Sequence, residues 1–128
     1  MARFVPRPDH VFIGNHTYSI EWLNSDEWLH RDFDMSKDGL TYAATSRIFV
    51  RLIEGRREAL YQEIVLHEVT HAIWDTVGVS LDPHWDKVDD SNDLEEKVIL
   101  FQSPMLLFVM KHNPDLVAWL LADGNDER

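Results

Sequence analysis

The sequence predicts an α+β fold in which N-terminal antiparallel strands precede one long helix and two to three C-terminal helices. Apolar and polar residues alternate from Thr17 to Leu23, which is typical of a strand with one buried face. No Pro or Gly interrupts the segment between Arg56 and Val77, which favours a helix. With 128 residues and 45% hydrophobic content, the chain is expected to form a single domain over residues 1–128.

Two strands and a short helical turn are predicted near the N-terminus, after an irregular lead-in over residues 1–10. The first strand covers 11–13, and a Gly-Asn turn connects it to the alternating strand at 17–23. The two should form an antiparallel pair. Asn24 or Ser25 can cap a helical turn through Leu29, although the charges of residues 26–34 also fit a surface loop.

Two further strands are predicted before the long helix. A Lys-Asp-Gly turn signal at 37–39 is followed by a strand at 40–44, and the strongest strand prediction is 47–53. Gly55 then breaks the strand and lets the chain enter the helix. Arg47 and Arg51 could contact a substrate, or they could face water on an outer strand, where charged residues are common.

The long helix is expected to end at Gly78, and the scattered Pro and Asp residues of 81–90 predict a loop. Ser91 or Asn92 can cap the next helix, whose first turns carry acidic residues that suit the helix dipole. Pro104 should bend or divide that helix.

A final helix is predicted from its end signals. Asn113 occupies the N-cap position, Pro114 the first helical position, and Gly124 follows the end. The residues after Asp123 are expected to fray. The apolar stripe of this helix should pack in the core and consists of Leu116, Trp119 and Leu120.

Composition excludes several classes of function. The chain has 12 basic and 23 acidic residues, a formal net charge of −11, which argues against a nucleic-acid partner and against docking on anionic membranes. It has no cysteine, so disulfides and thiolate metal sites are excluded.

The N-terminus lacks the apolar core of a signal peptide, and the longest apolar stretch, 98–109, is interrupted and too short to span a bilayer. We therefore expect a cytoplasmic protein.

The chemistry of the chain is concentrated in residues 67–71, His-Glu-Val-Thr-His. On a helix, His67 and His71 lie one turn apart on one face and can bind one zinc ion. Glu68 follows His67 by about 100° of rotation, so its carboxylate flanks the ion. There it can take a proton from a water molecule that zinc has acidified, which is general-base activation of a hydrolytic nucleophile.

An accidental match is the alternative, because the chain contains seven His and many acidic residues. Apolar residues surround the motif, however, and predict a mostly buried helix in which two His and a Glu would need partners. Zinc binding is therefore the preferred interpretation. The surrounding apolar residues are Leu60, Ile64, Val65, Leu66, Val69, Ala72, Ile73 and Val77.

A catalytic zinc site needs a third protein ligand. A ligand on a second rigid helix is better held than one on a loop, which favours Glu95 or Glu96. Their helix would fold back beside the motif helix and bury Val98, Phe101, Met105 and Phe108. The full set of candidates is His84, Asp86, Asp89, Glu95, Glu96 and His112.

With a downstream helical Glu, the motif resembles the gluzincin group of zinc metallopeptidases, and in size and layout the chain is similar to the minimal zincin-like domains of the ImmA/IrrE kind, including phage-encoded ones. In that family a few strands precede the H-E-x-x-H helix, and the third ligand is a Glu in a pattern resembling E-x-x-A-N-x-F-A-x-x-L-L-M-P. Residues 95–106 can be aligned with that pattern with Glu95 as ligand. Phe101 and the Met-Leu pair at 105–106 agree, whereas Val-Ile at 98–99 replaces Ala-Asn and the final Met-Pro is missing. A one-residue shift keeps Glu96 open.

The resemblance implies a small zincin-like metalloendopeptidase with Zn²⁺ bound by His67, His71 and Glu95, Glu68 as the base, and a peptide or protein as substrate. An extended substrate could pair with the strand at 47–53. Tyr42, His84 and His112 could assist the oxyanion, but each is better explained as structural or exposed. The alternative is a catalytically silent zincin-fold module that regulates or binds another protein.

Overall fold

The computed structural model describes residues 4–77 and 91–125 and confirms the α+β class. The strands are β1 (His10–Ile13), β2 (His16–Asn24), β3 (Gly39–Tyr42) and β4 (Arg47–Leu52). The helices are α1 (Ser25–His30), α2 (Glu58–Val77), α3 (Ser91–His112) and α4 (Pro114–Leu120), and a 3₁₀ turn covers Ala43–Thr45. The predicted loop at 81–90 and the predicted helix end at Gly78 lie outside the described residues.

The four strands form one mixed sheet in the order β1-β2-β4-β3. β1 and β2 are antiparallel, as predicted, and β3 is antiparallel to β4. β2 and β4 are parallel, because α1 and the segment after it carry the chain back before β4 begins. β4 therefore has a partner on each side, and the expectation that a substrate pairs with it is wrong. The two edge strands are β1 and β3.

The region around α1 forms the helical turn, one of the two alternatives that the sequence left open. Asn24 accepts a hydrogen bond from the Glu27 backbone N–H, and the Glu27 side chain accepts one from the Asn24 N–H. This reciprocal capping box explains why the helical alternative forms rather than a surface loop. The predicted strand at 40–44 ends at Tyr42, since the chain turns through the 3₁₀ segment and a left-handed Ser46 with φ of 53°.

Helix α2 lies across one face of the sheet and buries one side of its surface. Leu60 and Leu66 remain 47% and 45% exposed, and His67 and His71 are exposed as well. The expectation of a mostly buried helix is therefore wrong, because a helix on one face of a sheet leaves its outer stripe in solvent. The residues of α2 in the core are Tyr61, Val65, Val69, Ala72 and Ile73.

Helix α3 is continuous through Pro104, so of the two predicted effects, a bend or a division, the division does not occur. Pro104 is exposed, where water can satisfy the carbonyl group that loses its helical donor. Met105 and Phe108 pack against the core as expected, whereas Phe101 is 42% exposed. In the described ranges, 4–77 and 91–125, no helix is long and apolar enough to cross a bilayer.

Asn113 precedes α4 as predicted but does not cap it through its side chain. Its Oδ1 accepts from the Phe12 N–H at 2.7 Å, and its Nδ2 donates to the Phe12 and Val109 carbonyl oxygens at 2.9 Å. The side chain thus ties β1 to the junction of α3 and α4. Leu116 and Trp119 of the predicted stripe are buried.

Candidate functional site

Two imidazole nitrogens converge on the exposed stripe of α2. The Nε2 atoms of His67 and His71 are 3.2 Å apart, with ring centroids 4.8 Å apart. Zn–N bonds of about 2.05 Å in tetrahedral geometry separate two ligand nitrogens by about 3.3 Å. The pair is therefore spaced for a single zinc ion. The same distance also fits an N–H···N hydrogen bond between rings of complementary tautomers.

The carboxylate of Glu68 is buried against β3, with 6% of the residue exposed, and Glu68 lines a concavity together with His67. The Thr41 hydroxyl lies 2.9 Å from Glu68 Oε1 and 3.1 Å from the Glu68 carbonyl oxygen. Because a hydroxyl has one proton, it donates to one of these oxygens at a time or is shared between them. Thr41 was not identified from the sequence, since 27 residues separate it from its partner.

Gly39, also on β3, lies directly against the same carboxylate. A Cβ atom at this position would be 2.9 Å from Glu68 Cγ, from Glu68 Oε2 and from Ile64 Cγ2. Any larger residue would thus displace the Glu68 side chain or the strand. The sequence showed this glycine only as part of a turn signal, whereas its structural role is the close approach of β3 to α2.

Two shallow concavities flank the imidazole pair and share His67. The first, of about 360 Å³, is bordered by Glu68 and by the segment that leads into β3. The second, of about 240 Å³, is lined by His67, Thr70, His71 and Trp74. A larger cavity of about 590 Å³ lies between the N-terminal lead-in and the α3–α4 junction. We assign the site to the smaller pair because they border the chemically competent groups.

The predicted third ligand lies on α3. Gln102 accepts a hydrogen bond from Trp74 Nε1 at 3.1 Å, which places it beside the last turns of α2. Glu95 is exposed and lies two turns before Gln102, about 10 Å along the helix axis and toward the end of α2 remote from His67. Across residues 4–77 and 91–125, no group of three or more His, Cys, Asp or Glu side chains is placed to hold a metal. The structure therefore does not bring Glu95, or its alternative Glu96, to the imidazole pair, and a role for either as third ligand stays a prediction.

The other candidate residues have separate positions. His112 stacks on Phe108 at a centroid distance of 4.1 Å and lines the 590 Å³ cavity, away from the imidazole pair. Tyr42 contacts the rings of Phe33 and Phe49. That packing is on the sheet face opposite α2, because side chains alternate along β3. His84, Asp86 and Asp89 lie outside the described residues.

Arg47 and Arg51 are paired within the protein. Arg47 makes two hydrogen bonds to Glu21, at 2.7 and 2.8 Å, and this pairing holds the pKa of Glu21 below its ordinary value. Arg51 donates to the Met35 carbonyl oxygen and to Asp38. Neither arginine is on an outer strand, and both have structural partners rather than a free guanidinium directed at the site.

No family model, curated protein or solved structure matches this chain. The chemistry of the site is therefore argued from its own residues. Two exposed imidazoles can bind a borderline-soft cation such as zinc, and a buried carboxylate beside them can accept a proton. That combination is suited to hydrolysis rather than to a purely structural metal site, which has no need for an additional carboxylate.

Proposed function

We propose that this chain is a small zincin-like zinc peptidase that hydrolyses peptide bonds. The observation that carries the proposal is the pair of Nε2 atoms of His67 and His71, 3.2 Å apart, beside the buried carboxylate of Glu68. His67 and His71 would hold the ion. The gluzincin resemblance implies Glu95 as the third ligand, which would require the start of α3 to come closer to the imidazole pair than it does in this structure. The order of strands, motif helix and acidic helix is consistent with a zincin-like fold. A cytoplasmic, phage-encoded protein remains part of this hypothesis.

Each group has a distinct role in this proposal. A bound zinc ion would acidify a water molecule and polarise the substrate carbonyl. Glu68 would accept the proton of the attacking water and deliver it to the leaving nitrogen. The concavities on either side of His67 would receive the substrate side chains that flank the cleaved bond.

The edge strand β3 supplies main-chain groups for a substrate. The Arg51 N–H donates to the Asp38 carbonyl, so the pair 38/51 is hydrogen-bonded across the β3–β4 register. Hydrogen-bonded and non-hydrogen-bonded residue pairs alternate along two antiparallel strands. The next hydrogen-bonded pairs are therefore Leu40–Phe49 and Tyr42–Arg47. The N–H and C=O groups of Gly39 and Thr41 consequently point to the free edge. An extended peptide could pair there, directly beside Glu68.

The decisive experiment compares the wild-type protein with Glu68→Gln. Purified protein should contain close to one zinc per chain by elemental analysis and should cleave peptides in a chelator-sensitive assay. Glu68→Gln should retain zinc and lose about 10²- to 10⁴-fold in cleavage rate. Glu54→Gln is the matched control, because Glu54 is exposed in the turn before α2.

Two results would contradict the proposal. Glu68→Gln with wild-type cleavage would remove the proposed base. A protein that binds zinc but cleaves no member of a diverse peptide library, with or without the substitution, would favour the alternative of a silent zincin-fold module that acts through a partner protein.

A further inference from the structure

We infer that Thr41 is a positioning residue for Glu68, and that Gly39 provides the space in which the carboxylate is held. The inference rests on the proposed function, since it assigns these residues a part in the same reaction. Its basis is the hydroxyl of Thr41 at 2.9 Å from Glu68 Oε1, together with the close approach of Gly39 to Oε2.

The two contacts restrain the two carboxylate oxygens differently. The Thr41 hydroxyl restrains Oε1 on the strand side when it donates there rather than to the Glu68 carbonyl oxygen. Oε2 lies against the Gly39 backbone, and Glu68 borders the concavity that also contains His67. Oε1 is thus anchored, and Oε2 would take the proton.

A glutamate beside two histidine ligands can do two different things. If its side chain is held back, it can act as a base; if it swings toward the ion, it can itself become a ligand and occupy the position needed by water. Burial alone does not decide between these, because a glutamate side chain has several rotamers. The Thr41 hydrogen bond favours the held-back position.

The same strand also presents the edge proposed for the substrate. Gly39 and Thr41 direct their side-chain positions toward α2, while their main-chain N–H and C=O groups face the free edge. Leu40 packs on the opposite sheet face, in a cluster with Phe49 and Trp28, which fixes the strand from its other side. Strand β3 would therefore hold both Glu68 and a paired peptide. A displacement of about 1 Å between a catalytic group and its substrate costs about 10²-fold in rate.

The test compares Thr41→Val, which keeps the shape but removes the hydroxyl, with Thr41→Ser, which keeps the hydroxyl. We expect Thr41→Val to retain zinc, to lower kcat by about 10- to 100-fold and to change KM by less than about 3-fold. Thr41→Ser should stay within about 3-fold of wild-type kcat. Thr17→Val is the matched control, an exposed strand threonine on β2.

A second variant keeps the test valid if Thr41→Val folds poorly. A structural measurement keeps it valid if the protein is not a peptidase. Gly39→Ala should displace the carboxylate by steric contact and lower kcat in the same way. Crystal structures of the metal-free wild type and Thr41→Val should differ in the position of the Glu68 carboxylate, whereas Thr41→Ser should match the wild type.

Either of two results would overturn the inference. One is a Thr41→Val enzyme with wild-type kcat; the other is a Glu68 carboxylate that stays in place without the hydroxyl. A wild-type protein that cleaves no peptide would instead contradict the proposed function, and the crystallographic comparison would still decide whether Thr41 holds the carboxylate.

Discussion

The guanidinium of Arg7 forms two hydrogen bonds with the carboxylate of Glu58, at 3.0 and 2.9 Å, and Glu58 is completely buried. Trp119 Nε1 donates to the same carboxylate at 2.8 Å. Arg7 also lies over the rings of Trp22 and Tyr61, at 5.3 and 5.0 Å from their centroids. The buried charge at the first residue of α2 is therefore compensated by groups from two distant segments, the N-terminal lead-in and α4.

Removing one member of this pair should be strongly destabilising. Arg7→Ala would leave the Glu58 carboxylate buried without its cation, and we expect a loss of about 3 to 5 kcal/mol in the free energy of unfolding. Urea denaturation measures this loss, with the neighbouring exposed Arg57→Ala as a control that should change stability by less than about 0.5 kcal/mol. In a double-mutant cycle, Arg7→Ala combined with Glu58→Leu should cost less than the sum of the two single changes; strict additivity would contradict the coupling.

The Glu21–Arg47 pair predicts a pH dependence of stability. Hydrogen bonding to Arg47 lowers the pKa of Glu21 from its ordinary value of 4.5. A carboxyl group whose pKa is lower in the folded state stabilises the fold above its unfolded pKa, and the stabilisation is lost as the pH falls through the folded pKa. Wild type should therefore be more stable than Glu21→Gln at pH 7.

The difference between those two proteins should shrink once the pH falls below 4.5. Denaturation curves at several pH values between 7 and 3 measure it. Because both side chains are partly exposed, the effect should be small and should weaken at high salt. A difference that grows on acidification would contradict the assignment.

Zinc should stabilise the fold through the imidazole pair. At a free zinc concentration 100 times the dissociation constant, one site adds about 2.7 kcal/mol to the free energy of unfolding. His71→Ala should remove this gain, whereas His16→Ala, on an exposed position of β2, should preserve it. Calorimetric unfolding with and without zinc tests the prediction, and equal zinc stabilisation of all three proteins would place the ion elsewhere.

The proposed third ligand can be tested separately. Glu95→Gln should weaken zinc binding by at least about 10-fold, because a catalytic site would lose one of three protein ligands. Glu96→Gln, one residue further along α3 and also exposed, should leave the affinity nearly unchanged. Titration with a competing chelator gives both values. The reverse result would assign the ligand to Glu96, and two unaffected variants would exclude both residues.

The parts of the molecule that depend on local sequence were predictable. The capping box at Asn24 and Glu27, the start of α4 at Pro114 and the spacing of His67 and His71 each involve residues within a few positions of one another. The order of the strands was not predictable from local sequence, because the pairing of β4 with both β2 and β3 depends on contacts between residues distant in sequence. The contacts of Thr41 and Gly39 with Glu68 were not predictable for the same reason. Asn113 was placed correctly at the start of α4, but its side chain bonds to β1, 101 residues away.

The first turn of α2 also has a consequence for biosynthesis. Glu58 receives the indole hydrogen bond of Trp119, and the Ala59 N–H donates to the Gly124 carbonyl at 2.8 Å. A ribosome-bound chain from which residues 113–124 have not yet emerged lacks both contacts, so α2 cannot acquire its final packing before that segment leaves the ribosome. Arrested chains that expose only residues 1–110 should accordingly be digested by added protease far faster than chains that expose residue 125. This dependence would delay any peptidase activity until residues 113–124 have emerged.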